Sequence, residues 1–273
     1  GINHVAQRSG ATYSDASLTY PHDVDALTIA SRIRACITHP DSPTILVIDH
    51  ITSETGLMLP VAEVIGELRR THPHILVVVD AAHSAGMVQR PVPEGCDVWV
   101  GNLHKWLCAP RPSAALICMN PTLRESLSPL SPSWGFEDGF PKSFEWQGTS
   151  DYSSYLSVPA AIAFQEQWSW KTRDEHNRSV VDGGAALLRS AWGGQQHVDS
   201  SLEAPWMRMV KVPSSRPLTK AEVDSTVERI GSELKVECML MTVGTSTYVR
   251  LSAHMYNEIE DFERLEPIRR LLP

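Results

Sequence analysis

The sequence predicts an α/β fold, an open and mostly parallel sheet followed by a smaller C-terminal α+β domain. Three observations carry that reading. Residues 44–49 and 75–80 are short apolar, β-branched runs flanking a stretch with helical periodicity, the pattern of a βαβ unit. Neither run alternates with polar residues, as expected of strands buried on both faces. After a long helical connection, shorter strands and helices follow from about residue 202, which marks a separate α+β unit.

In chain order, Thr-Ile-Leu-Val-Ile-Asp at 44–49 is the first strand and Ile-Leu-Val-Val-Val-Asp at 75–80 the second. Between them Val61, Val64, Ile65 and Leu68 recur at helical spacing, with Glu63, Glu67, Arg69 and Arg70 on the other faces. Two more strands are expected at 97–100 and 114–119. Residues 128–143, rich in Ser, Pro, Gly and aromatics and without periodicity, read as an ordered loop. A long helical region is expected over 153–192, broken near Lys171. A strand follows at 207–212, then a helix over 219–234 that opens with a capping box of Thr219 and Glu222 and carries Val223, Val227 and Ile230 on one face. Strands at 236–241 and 248–252 precede a last helix over 257–271, with Tyr256 and Asn257 as its cap. These elements divide the chain into a large unit, residues 1–165, and a small one, residues 166–273. The first ten residues read like the middle of a domain.

Composition narrows the function. The 273 residues hold 24 Lys+Arg against 32 Asp+Glu, a net charge of −8, which argues against a binder of nucleic-acid phosphates. No apolar run approaches the roughly 20 residues that cross a bilayer, so no membrane partner is expected. Five cysteines, Cys36, Cys96, Cys108, Cys118 and Cys238, are odd in number and scattered. That distribution points to reduced thiols in a cytoplasmic protein, with neither a disulfide framework nor a metal site. No GxGxxG or Walker-type loop is present.

The chemistry concentrates in Asp80-Ala-Ala-His83 and in Gly101-Asn102-Leu103-His104-Lys105-Trp106. Taken singly, an acid ending a strand caps the next helix and a lysine after a strand lies on the surface. Together, Asp80 and Lys105 stand at the carboxyl edge of one parallel sheet, where open α/β sheets bind ligands. A lysine and a carboxylate that hold one small planar ring are what pyridoxal phosphate chemistry requires. The amine forms a Schiff base with the cofactor aldehyde, and the acid keeps the ring nitrogen protonated so that the ring withdraws electrons.

The runs Asp49-His50-Ile51-Thr52-Ser53-Glu54-Thr55, Val79-Asp80-Ala81-Ala82-His83-Ser84-Ala85-Gly86 and Gly101-Asn102-Leu103-His104-Lys105-Trp106-Leu107-Cys108-Ala109-Pro110 resemble the class V aminotransferase superfamily, and within it the isopenicillin N epimerase-like branch. Glu145-Trp146-Gln147-Gly148-Thr149 and Tyr248-Val249-Arg250-Leu251-Ser252-Ala253-His254-Met255-Tyr256-Asn257 agree with it. The match runs in order over nearly the whole chain. The resemblance implies a fold-type-I large domain and pyridoxal phosphate as cofactor. Lys105 is then the Schiff-base lysine, Asp80 the partner of the ring nitrogen, and His83 the side chain near the phenolic oxygen. Asn102 and His104 bind the cofactor phosphate, and Thr149 reaches the phosphate of a partner subunit. An active site completed in a homodimer follows. Arg250 grips the α-carboxylate of an amino-acid substrate, the bidentate pairing that a planar guanidinium makes best. Trp106, Trp134 and Trp146 are not assigned to the site.

The family places its phosphate-cradling loop and ring-stacking residue upstream of all five of these runs. The chain is therefore expected to be N-terminally incomplete and to bind the cofactor weakly or not at all by itself. The reaction implied first is epimerisation at Cα, with C–S β-elimination as the alternative and transamination or cysteine desulfuration further off. Desulfuration needs a reactive cysteine on a mobile loop before the arginine. Cys238 lies 12 residues before Arg250, in an apolar run read as a strand, where a cysteine is a buried small hydrophobe.

Overall fold

The structure is a computed structural model that describes residues 1–39, 42–196 and 198–273. The first sheet has the order β1-β2-β3-β4, with β1 Ile45–Asp49, β2 Leu76–Asp80, β3 Val98–Asn102 and β4 Ala114–Cys118. β1, β2 and β3 are parallel and β4 is antiparallel to β3. The predicted mostly parallel α/β sheet is present, and its register sets Asp49 directly beside Asp80.

Helix α1, Ile2–Ser9, buries no residue. Helix α2, Ala26–Cys36, has no counterpart among the elements expected from the sequence. Asp25 caps it by accepting from the Thr28 N–H, and Ile29, Ala30 and Ile33 are its buried stripe. Helix α3, Val61–Arg69, buries Val61, Val64, Ile65 and Leu68, the four predicted positions. These stripes meet Ile48, Val77, Val79 and Trp99 in one apolar core, so α2 and α3 cover one face of the sheet. The opposite face carries Ile45, Val47 and Asp49 of β1 in register with Leu76, Val78 and Asp80 of β2. Ile45 and Val47 are exposed there, although parallel sheets are ordinarily covered on both sides.

Short helix α4, Pro121–Ser126, follows β4. The segment read as a loop over 128–143 contains one 3₁₀ turn at Phe136–Asp138, and another forms at Lys142–Phe144. The long helical region is three helices, α5 Ser153–Leu156, α6 Val158–Gln165 and α7 Trp170–Trp192. The break before α7 lies at 166–169 and not at Lys171, because the Ser169 hydroxyl caps α7 by accepting from the Thr172 N–H.

The second sheet is antiparallel with order β5-β7-β6, where β5 is Met207–Lys211, β6 Met239–Val243 and β7 Ser246–Ser252. Helix α8, Lys220–Arg229, begins with the predicted capping box of Thr219 and Glu222 and continues as a π turn, Ile230–Leu234. Two expectations fail here. Val236, Glu237 and Cys238 precede β6 and are not part of a strand. The last helix is two short pieces, α9 Ile259–Glu263 and a 3₁₀ turn at Glu266–Arg270 that starts just before Pro267, which has no N–H to continue an α-helical ladder. Its cap is Glu258, paired with Asp261, in place of Tyr256 and Asn257. A second core joins α7, the antiparallel sheet and this C-terminal segment through Val181, Leu188, Val210, Val249, Leu251 and Ile268.

Candidate active site

The site is built where β2 and β3 end and β7 comes alongside. Asp80 is the last residue of β2. Its Oδ1 accepts the Ala82 N–H at 3.0 Å, a local turn that orients the carboxylate, and its second oxygen is left for other partners. His83 follows on the same turn and is buried. Lys105 lies three residues beyond β3. Its Nζ stands 3.1 Å from His83 Nε2. Asp80 and Asp49 both act on the Lys105 charge. The two residues on which the sequence reading depends therefore stand at one edge of one sheet.

Arg250 reaches this edge from the other sheet, from the centre of β7. Its Nη1 donates to the backbone oxygen of Ser53, in the loop after β1. Its Nε is buried and has no partner among the described residues. A half-buried guanidinium with a donor unspent is stabilised by an incoming anion. The pairing with Glu237 that a strand arginine could have made is replaced by this contact with Ser53.

The electrostatics make Lys105 less basic than an ordinary lysine. Burial lowers the pKa of Lys105 and Arg250 adds to that, while Asp80 and Asp49 oppose it. Burial, with the cations of Lys105 and Arg250, holds His83 down at about 3, so its imidazole is neutral. Burial and the neighbouring carboxylates of Asp80 and Glu54 push Asp49 up. Desolvation is the first cause in each case; His83 is buried, Lys105 and Arg250 are half-buried, and Asp49 and Asp80 are exposed at the sheet edge.

The other predicted residues are less tightly gathered. Asn102 ends β3, two residues beyond Val100, the β3 partner of Asp80. His104 is held by the backbone of Ser113, its Nδ1 lying 2.7 Å from the carbonyl oxygen and 3.1 Å from the N–H, and Nε2 is left for a ligand. Thr149 is exposed on the loop before α5, away from any strand.

Three contributors lie outside the residues that the sequence assigns to the site. Trp106, ambiguous by sequence, is buried and donates its indole N–H to His83 Nδ1 at 3.1 Å. Ser53 touches both His83, at 3.3 Å through its hydroxyl, and Arg250. His254 accepts the Met255 N–H at Nδ1 and so donates from Nε2 to the Trp106 carbonyl at 3.1 Å. That bond ties the loop carrying Lys105 to the segment that follows Arg250. All three lie within the runs that carry the family resemblance, Ser53 in 49–55, Trp106 in 101–110 and His254 in 248–257, and that is the signal that could have found them. Asn257 accepts the His254 N–H there, and this is its role in place of a helix cap.

Cys238 packs against the C-terminal core. Burial, helped by Glu237, pushes its thiol up to about 11. That is the opposite of what a cysteine nucleophile needs.

The geometry makes a close approach at Gly86 testable. Gly86 has φ +87°, and a Cβ built on it would lie 2.7 Å from the Trp106 carbonyl carbon and 2.8 Å from Leu107 N. Gly86→Ala is expected to cost about 1–3 kcal/mol from backbone strain alone and to displace the loop carrying Lys105. Denaturant unfolding reads the first effect and cofactor titration the second. Acid should act through His83. It ordinarily titrates near 6.5 when unfolded and near 3 in the fold, so the unfolded chain binds the extra proton over that window. Stability is therefore expected to fall as pH drops from 6.5 towards 3. The thermal midpoint of His83→Asn should fall less steeply over the same range than that of the unsubstituted chain.

Among known proteins, the chain matches the family Aminotransferase class-V over residues 2–265. It is 31% identical to an L-cysteine desulfhydrase of Arabidopsis thaliana over 80% of this chain and 52% of the relative. It is 28% identical to an isopenicillin N epimerase of Streptomyces clavuligerus over 79% of this chain and 57% of the relative. The chain thus spans little more than half the length of these curated relatives. Among solved structures, a cysteine desulfurase from Thermococcus onnurineus NA1 superposes with TM-score 0.73 at 16% identity, covering 98% of this chain and 68% of that one. The cystine C–S lyase C-DES, solved with its reaction product cysteine persulfide, gives 0.72 at 19% identity, covering 99% and 70%. A second C-DES structure, with glycine covalently linked to its PLP cofactor, gives 0.69 at 22% identity, covering 99% and 70%. The fold of these structures is the one described above. An amine of reduced basicity, a turn-oriented carboxylate, a neutral histidine and an arginine with an unspent donor fit the cofactor such enzymes carry. The chain belongs to the class-V aminotransferase family of pyridoxal-phosphate-dependent enzymes.

Proposed function

We propose that this chain supplies most of the active site of an enzyme that removes the α-proton of a sulfur-containing L-amino acid and expels the sulfur from Cβ, a C–S lyase. The observation that carries the reading is the meeting of Lys105, His83, Asp80 and Arg250 at one sheet edge, with Lys105 made less basic by burial. The bound cofactor supplies an electron-withdrawing ring that stabilises negative charge at Cα. Lys105 would hold that group and would serve as the base for the substrate's α-proton. Asp80 would partner the ring nitrogen and His83 the phenolic oxygen. Asn102 and His104 would hold the phosphate, and Thr149 would reach the phosphate held by a second copy. Arg250 binds the substrate carboxylate and so fixes which bond at Cα is set for cleavage.

Elimination is favoured because one base on one face meets its needs, and because several similar proteins carry the desulfhydrase name. The epimerase reading is supported by similarity to proteins of that name and requires a second proton donor across the ring. The test is incubation of the loaded protein with L-cysteine and, separately, with isopenicillin N. Sulfide, pyruvate and ammonia, formed from one cysteine and one water, support the lyase. Inversion at Cα without pyruvate supports the epimerase, and neither product overturns both.

The division near residue 165 and the homodimer belong to the same proposal. Helix α6 is apolar on every side except Gln165, yet Phe164 is 50% exposed, and Leu156 just before the helix is 78% exposed. A helix apolar all round belongs in an interior, and a patch of this kind marks an association surface. A second copy of the chain seated on α6 would cover it and bring its Thr149 loop to the site. Phe164→Glu is expected to shift sedimentation from dimer to monomer; an unchanged dimer would contradict this placement. The unpaired cysteines fit a reducing compartment such as the cytoplasm. No helix among the described residues is long and apolar enough to cross a membrane.

A further inference from the structure

We propose that Trp106 is a positioning residue that fixes the tautomer of His83, so that the imidazole turns a protonated Nε2 towards Lys105. The proposal rests on the reading of His83 and Lys105 as site residues and adds what sets their proton arrangement. An indole N–H only donates, so the 3.1 Å contact from Trp106 Nε1 makes His83 Nδ1 an acceptor. A neutral imidazole carries one ring proton, and with Nδ1 accepting, that proton is on Nε2. Nε2 lies 3.1 Å from Lys105 Nζ and 3.3 Å from the Ser53 hydroxyl. A protonated Nε2 donates to a neutral amine but has no lone pair to offer an ammonium. The tautomer therefore favours the free-amine form of Lys105, the one that attacks an aldehyde or takes a proton, and it would offer a donor to the phenolic oxygen of a bound cofactor.

Trp106 is itself fixed from three sides. His254 holds its carbonyl at 3.1 Å, the His254 ring stacks on its indole, and the fully buried Trp206 packs edge-on at 5.8 Å. Its indole thus has no alternative orientation open to it. The neutrality of His83 is consistent with the burial described above.

The experiment is a long-range ¹H–¹⁵N correlation spectrum of the histidine rings of the full chain, with His83 assigned by its loss in His83→Asn. The expected result is an unprotonated Nδ1 and a protonated Nε2. In Trp106→Phe the donor is gone, and the Nδ1-protonated form should appear or dominate. In Trp206→Phe, which disturbs the same cluster but whose indole donates to Asp174, the tautomer should persist. A second readout is the pH dependence of Lys105 labelling by an amine-reactive reagent, followed by peptide mass spectrometry. In Trp106→Phe, Nε2 becomes an acceptor for the ammonium, and the free-amine fraction at a given pH should fall about fivefold. The other charges facing Lys105, those of Asp80, Asp49 and Arg250, are the same in both chains. A protonated Nδ1 or an imidazolium in the unsubstituted chain would overturn the proposal. So would Trp106→Phe with an unchanged tautomer and an unchanged labelling profile. If that variant does not fold, the spectrum of the unsubstituted chain decides. The expected tautomer in a protein that, once loaded, forms neither sulfide nor inverted substrate would overturn the functional reading and leave this inference standing.

Discussion

Lys105→Ala is expected to lower turnover of an amino-acid substrate by on the order of 10⁴-fold, the largest single effect of any substitution in the chain. The size follows from two roles on one nitrogen. Lys105 Nζ is the only amine placed against His83 among the described residues, and burial has already made it a better base for work near neutral pH than a surface lysine. Removing it deletes both the covalent anchor and the proton acceptor. Lys105→Arg keeps the charge, yet a guanidinium stays protonated and should be no better than alanine. Added methylamine should restore part of the activity of the alanine variant, since it supplies an amine of the right size to the vacated space. Steady-state rates with and without methylamine check this, and rescue of the arginine variant to the same degree would contradict it.

Arg250→Ala has the next largest expected effect, and its signature is different. The guanidinium is half-buried on β7, has one bond to the Ser53 carbonyl, and keeps a buried Nε without a partner among the described residues. Truncating one partner of a charge pair that substrate binding would bury costs about 2–5 kcal/mol, so kcat/KM should fall on the order of 30- to 5,000-fold. A single ammonium cannot reproduce the planar fork, and Arg250→Lys should recover only a small part. The loss should be far smaller for an amine substrate that has no carboxylate. A further consequence is electrostatic: Arg250 is one of the groups that lower the Lys105 pKa, so the alanine variant should show that pKa raised. Rates across a pH series, with amino-acid and amine substrates compared, separate the two effects. Equal losses on both substrates would contradict the carboxylate role.

Much of this is legible in the sequence, and the reason is local. Strands β1 and β2 are continuous β-branched runs ended by acids, and α3 carries a clean apolar stripe, so period alone defines them. Asp80, Lys105 and Arg250 sit in or just beyond strands whose order sets the sheet edge, and motif spacing places them there. What is not legible depends on the fold closing. Helix α2 buries only Ile29, Ala30 and Ile33 amid polar neighbours, too thin a stripe to stand out. Cys238 looks like a strand residue because Leu240 and Met241 follow it, but pairing with β7 begins at Met239. The last helix is cut by Pro267, a breaker that the apolar spacing of Phe262, Leu265 and Ile268 masks. Trp106 cannot be separated from any other core indole until His83 is found against it, 23 residues away in sequence. Ser53 acts through a backbone oxygen and a hydroxyl, and neither leaves a trace in composition or period.

The place where the chain captures its cofactor decides between these readings and their failure. The full chain is mixed with pyridoxal phosphate, reduced with borohydride, digested, and sequenced by mass spectrometry. The expected product is a phosphopyridoxyl group on Lys105, at a yield that falls sharply in Asp80→Ala. Labelling spread over surface lysines such as Lys171 and Lys220, with none at position 105, would contradict it.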